Sequence, residues 1–196
     1  MPDFWIFFKI GLRHVLDING FDHVLFLIAL TVPFTFKDWK KLLLLVSVFT
    51  LGHSLALLLA VFEIIVIKGN VIEFLIPLTI LITASYSLFT AGKSSKSGGD
   101  ATAVFITLFF GIIHGLGFAS YFKSILSGTP TDKLWPLLNF AVGIETAQIL
   151  VVFAVLILAY AVQTFFRFSK RDWTLVMSAF VIGVVVPLII ESEIWK

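Results

Sequence analysis

Cysteine is absent from the 196 residues. That excludes disulfides, thiolate metal centres and cysteine nucleophiles, and it leaves the redox character of the compartment unmarked. Charge is scarce too: Asp, Glu, Lys and Arg together make up 13% of the chain, where an ordinary soluble domain has about a quarter. So few charges cannot cover the surface of a water-soluble body of this size. The formal net charge is only +2, and no basic run is interleaved with aromatics, so no nucleic acid is expected as a partner. The chain has no G-x-x-x-x-G-K-[ST] loop to cradle ATP phosphates, no H-E-x-x-H zinc motif and no G-x-S-x-G elbow for a serine nucleophile. The opening Met1-Pro2-Asp3-Phe4-Trp5 lacks the basic region of a cleavable signal, so insertion by the chain's own helices is expected.

What is present is apolar. Hydrophobic residues make up 59% of the chain and the mean hydropathy is +1.06, which makes the lipid bilayer the expected solvent. A spanning helix needs about 20 apolar residues. Runs near that length occupy 19–36, 42–67, 71–91, 101–122, 137–162 and 174–190. Short polar links join them, among them Lys37-Asp38-Trp39-Lys40-Lys41, Lys68-Gly69-Asn70, Lys123 to Pro136, and Arg167 to Trp173. The link from Lys93 to Asp100, rich in Ser and Gly, reads as the most flexible. The stretch Phe4 to Leu16 is shorter and carries Lys9, Arg13 and His14, which fits an interfacial amphipathic helix or a half-helix. The expected fold is therefore an all-α, polytopic transmembrane bundle: six spans plus this N-terminal helix, with seven spans as the alternative, in a single domain over 1–196. Lys37, Lys40, Lys41, Lys93, Lys96, Arg167, Lys170 and Arg171 fall on one side and mark it as cytoplasmic.

Against that background some residues are out of place. A charge at the centre of a spanning helix costs about 2.5–3.5 kcal/mol on insertion scales. Yet His14, Asp17, Asp22, His23, His53, Glu63, Glu73, His114 and Glu145 lie in or beside the spans, with Asn139 and Gln148. All four histidines of the chain are in this set. At about 1.5 Å rise per residue, His53 and His114 reach similar depths, and most of the polar set falls in the outer half of the bilayer. Glu145 and Gln148 stand at i and i+3 and share a helix face. Gly111 and Gly115 form a small-xxx-small pair around His114, which admits a neighbouring backbone.

Simpler readings exist for several of these. Glu63 suits a snorkelling position at a helix end, Glu73 an N-terminal cap, and Asp17, Asn19 and Gly20 a turn. His53 or His114 alone is as well explained by a hydrogen bond to a neighbouring helix. The group His14…Asp22-His23 is harder to dismiss, because buried carboxylate and imidazole need a partner. A divalent cation would serve, and imidazole with carboxylate suits Ni, Zn, Co or Fe over Mg or Ca.

The run Gly11-Leu12-Arg13-His14…Gly20-Phe21-Asp22-His23-Val24-Leu25-Phe26-Leu27 resembles the opening motif of the HupE/UreJ family of bacterial membrane proteins. Phe49-Thr50-Leu51-Gly52-His53-Ser54, Phe110-Gly111-Ile112-Ile113-His114-Gly115-Leu116-Gly117-Phe118-Ala119 and Asn139 to Gln148 are similar to its later motifs, in the same order. The spacer between His14 and Asp22 is longer than in the family pattern. The resemblance implies a six- or seven-helix permease-like protein of the bacterial inner (cytoplasmic) membrane, with a link to hydrogenase or urease accessory functions and to nickel.

Three functions follow as expectations. The first is a secondary transporter for a divalent transition metal. His14, Asp22, His23, His53, His114 and Glu145 would be its metal ligands, with Glu73, Asn139 and Gln148 in support. Membrane potential could drive it: at about 2.3 kcal/mol per charge per 100 mV, a divalent ion moving inward gains about 4.6 kcal/mol. The second is an intramembrane metal-dependent hydrolase near the outer leaflet, with Glu145 as general base. The third is an accessory subunit whose polar residues only hold helices together. The expected partners are lipid and the metal ion; a homo-oligomer stays open.

Overall fold

A computed structural model describes residues 2–65, 67–93, 100–126 and 131–196. Ser94 to Gly99, the heart of the link expected to be flexible, and residues 127–130 of the Lys123–Pro136 link lie outside the described residues. Among the described residues every regular element is a helix: α1 (Pro2–Val15), α2 (Asp22–Thr31), α3 (Trp39–Val61), α4 (Gly69–Thr90), α5 (Asp100–Ile125), α6 (Leu134–Phe165) and α7 (Lys170–Ile190). Short 3-10 turns at Phe36–Asp38, Thr131–Lys133 and Glu193–Trp195 complete it.

Five of these helices, α3 to α7, are long and apolar enough to cross a membrane. The remaining two are short. The apolar run 19–36 is α-helical only over the ten residues Asp22–Thr31, about 15 Å at 1.5 Å per residue, half of a hydrocarbon core of about 30 Å. Both ends have local causes. Asp17 Oδ1 accepts from the Asn19 N–H at 2.9 Å and holds a turn ahead of the helix. Val32 is still helical in its dihedrals, but Pro33 after it has no N–H with which to continue the hydrogen-bond ladder. Thr35 and Asp38 then form a reciprocal capping box that leads into α3. Of the stretch 4–16, all but Leu16 lies in α1, which packs along α6.

Polar and apolar residues are arranged inside out. Leu51, Phe89 and Phe105 are 65%, 72% and 70% exposed, whereas His23, His53, His114, Asn139 and Gln148 are buried. This surface suits lipid, and the protein is a multi-pass membrane protein.

Glycine sets the tightest helix contacts. A methyl on Gly111 would overlap the Phe49 carbonyl, one on Gly52 the Leu108 carbonyl, and one on Gly115 the His53 carbonyl. The register advances together on both helices, so α3 and α5 run parallel with their backbones touching. The pair α1–α6 is built the same way: Gly11 faces the Phe140 carbonyl and Gly143 faces the Phe8 carbonyl. Such contacts are driven by packing, since lipid gives helices no hydrophobic reason to associate. Helix α2 fits between α4, α6 and α7.

Candidate metal centre

The two glycine-closed helix pairs deliver three of the four histidines. His14 stands one residue before the end of α1, His53 next to Gly52 on α3, and His114 next to Gly115 on α5. The break between α1 and α2 supplies the fourth, because His23 is the second residue of α2. A single long first span would have carried Asp22 and His23 past this depth. The four rings pack against one another: His14–His23 centroids are 4.6 Å apart, His23–His114 5.0 Å, and His14–His53 and His23–His53 each 5.5 Å. Phenylalanines enclose them. Phe118 lies 3.9 Å from His14, Phe49 5.1 Å and Phe26 5.2 Å from His114, and Phe140 6.2 Å from His53.

The ring nitrogens are the unusual feature. Among the described residues, His14 Nε2, His23 Nε2, His114 Nδ1 and both nitrogens of His53 are buried without a hydrogen-bond partner. Each orphaned polar atom in an interior costs about 1–3 kcal/mol, so a cluster of five is a strong demand for a guest. Two of the rings are oriented by neighbours. Thr79 Oγ1 donates to the Ile76 carbonyl at 2.7 Å. Its one proton is thereby used, so at 3.0 Å it accepts from His114 Nε2–H. His114 is then the tautomer with a bare lone pair at Nδ1. His23 Nδ1 faces Asp22 Oδ1 at 3.4 Å, leaving Nε2 as its free atom. Two groups have ligand atoms all within 4.8 Å of one another and could hold a metal: His14, His23, His53, and Asp22, His23, His114.

A cavity of about 240 Å³, lined by His14, Asp17, Asp22, His23, Glu73 and His114 among others, opens onto the cluster. A second of about 370 Å³ shares Gly20, Asp22, Glu73 and Ile76 with it and adds Glu191 and Glu193. The approach is therefore acidic. Asp17 and Asn19 do make the expected turn, and they also line it.

Among the described residues, the structure does not bring Glu145 to the imidazoles. Its Oε1 accepts from Ser47 Oγ at 2.6 Å and its Oε2 accepts from Thr50 Oγ1. Thr50 Oγ1 also lies 3.2 Å from Gln148 Oε1, so the i, i+3 face of α6 reads one turn of α3. Gln148 Nε2 and Asn139 Nδ2 are buried without partners, and nothing in the structure explains Asn139. Glu63 ends α3 in the left-handed region (φ 58°) and pairs with Lys123 at 3.0 Å on the surface. Lys123, by hydrogen bond first and by charge second, holds the Glu63 carboxyl below its ordinary pKa. Sequence reasoning missed Thr79, Ser47 and Thr50, hydroxyls that pass for filler in an apolar run.

The family model described as HupE / UreJ protein matches residues 1–191. The chain belongs to the HupE/UreJ family. No curated protein matches it, and no solved structure does. The HupE/UreJ match spans every helix described above, so the histidine cluster and the Glu145 network both lie within the family's own territory.

Proposed function

We propose that the chain is a secondary transporter, a permease, for a divalent transition-metal cation such as nickel, cobalt or zinc, in a bacterial cytoplasmic membrane. The observation that carries this is the set of five buried imidazole nitrogens with no partner, gathered from α1, α2, α3 and α5. Hydrogen-bonded packing histidines would show the opposite. In a low-dielectric interior four neutral imidazoles are tolerable, and their lone pairs are the preferred donors for borderline metals.

The acidic cavities support the direction of approach. Asp17, Asp22, Glu73, Glu191 and Glu193 concentrate cations at the mouth, as a cleft lined by one sign of charge does. Asp22 then carries the ion to the histidines. A site free of thiolates binds less tightly than a structural zinc centre, which suits a cargo that must leave. The hydrolase reading needs a base beside the metal, and Glu145, its candidate, is engaged by Ser47 and Thr50 instead.

The test is direct. Purified protein should carry Ni, Co or Zn after exposure to each, and sealed vesicles containing it should accumulate the ion when the interior is made negative. His53→Ala should lower uptake. Protein that binds none of the three metals would remove the proposal.

A further inference from the structure

The imidazole cluster contains more than one complete ligand set. Asp22, His23 and His114 form one; His14, His23 and His53 form the other; His23 belongs to both. We infer that these are two successive positions of a single ion, with His23 as the shared pivot, and that the all-imidazole position is the one that rejects hard divalent cations. The inference rests on the transport reading above and adds to it a path and a filter.

Three observations support it. The first is charge. Asp22 is the only carboxylate in either set. One divalent ion beside one carboxylate leaves a net charge of +1, whereas two ions would leave +3 in a buried cluster where repulsion is poorly screened. The second is the state of His23. Its Nδ1 is turned to Asp22 Oδ1, and its Nε2 is the free buried nitrogen. One lone pair serves one ion at a time, so the two sets exclude each other. The third is access. The cavity touches Asp22, His23, His114 and His14 but not His53, which is 0% exposed. An ion coming through the cavity meets the Asp22 set first and reaches His53 only by moving inward around His23.

The chemistry of the two sets then differs in a useful way. A carboxylate oxygen is a ligand that Mg and Ca can use as well as transition metals, and these hard ions require oxygen. Three neutral imidazoles offer them nothing that replaces their water, while Ni, Co and Zn bind nitrogen well. Capture at the first position is permissive; passage to the second is selective.

The experiment is metal stoichiometry and competition on the purified full-length protein. Wild type should bind one Ni per chain, and X-ray absorption of the Ni-loaded protein should show no more than three imidazoles on the metal. His53→Ala and His114→Ala should each keep one Ni per chain, since each leaves the other set with all three of its ligands, with affinity lowered about tenfold or more. His23→Ala should lose the ion. Excess Mg should displace Ni from His53→Ala about tenfold more readily than from wild type, because only the carboxylate-bearing set remains. Two ions per chain, four imidazoles on one ion, or complete loss of binding in a still-helical His53→Ala would each overturn the inference while leaving a metal-binding protein. Absence of binding in wild type would instead overturn the transport reading, and this inference with it.

Discussion

The contact between α3 and α5 can be tested by adding one methyl group. Gly111→Ala would place a Cβ well under 3.0 Å from the Phe49 carbonyl oxygen, and the atom it meets is backbone, which cannot swing aside. The two helices must part. Overpacking of this kind costs about 1–3 kcal/mol, a change of about 5- to 150-fold in the ratio of folded to unfolded protein at 1.4 kcal/mol per factor of ten. The same displacement acts on the site, because His53 and His114 sit on the two helices being separated. Metal–ligand distances tolerate about 0.2 Å, so an opening of ångström size should weaken Ni binding about 10- to 100-fold, as loss of a supporting contact does. Gly183→Ala is the control. Gly183 lies inside α7 with nothing within 4 Å of a built Cβ, and alanine there should be neutral or stabilising by about 0.4–1 kcal/mol. Thermal unfolding in detergent and calorimetric Ni titration of both variants give the answer. Equal behaviour of Gly111→Ala and Gly183→Ala would refute the argument that zero-clearance packing positions the ligands.

Other outcomes follow from the same geometry. Thr79→Val removes the acceptor that holds His114 Nε2–H and should lower Ni affinity about 10- to 100-fold, with Thr79→Ser close to wild type; calorimetry of the two decides it. Thr50→Val strips one hydroxyl from Glu145 and should cost about 1.5–3 kcal/mol, the range for a hydrogen bond to a charged group, measured by denaturation in detergent. Glu145→Gln should still bind one Ni per chain by elemental analysis, since Glu145 belongs to neither ligand set. Because Lys123 lowers the Glu63 pKa, that pair contributes above the ordinary carboxylate pKa of about 4.3 and is lost as pH falls through the lowered value. Lys123→Ala should therefore move the Glu63 titration upward by NMR with little change in stability at neutral pH, the pair being exposed.

Much of this was legible in the chain because membranes make polar residues conspicuous. His14, Asp22, His23, His53 and His114 stood out as costly in lipid, and the structure gathers them within one cluster. The glycine pair around His114 announced a close helix contact, and Gly111 and Gly115 do meet the α3 backbone. Composition could not say which helix would be met, since a small residue advertises a groove and not its occupant. The length of α2 is obscured because the chain stays largely apolar from Val24 to Phe36, past the helix end at Thr31, and hydropathy outweighs Pro33 and the Thr35–Asp38 cap. Glu145 and Gln148 were read onto one face, as found, but their depth could not reveal that Ser47 and Thr50 were already waiting opposite.

That last pairing bears on how the histidines are to be read. The protein holds two polar clusters at neighbouring levels of α3, one centred on Glu145 and one on His53. In the first, a carboxylate that would be expensive in lipid has each oxygen engaged by a hydroxyl from the facing helix. That is how polar residues behave when their task is to join helices. In the second, imidazoles packed against one another and against phenylalanines leave five nitrogens without a partner among the described residues. Both clusters belong to the same fold and the same interior. The Glu145 cluster leaves one orphan of its own, Gln148 Nε2, whereas His53, among the described residues, has no partner on either ring nitrogen. That difference favours the proposed ligand-binding reading of the imidazoles over one in which they only join helices.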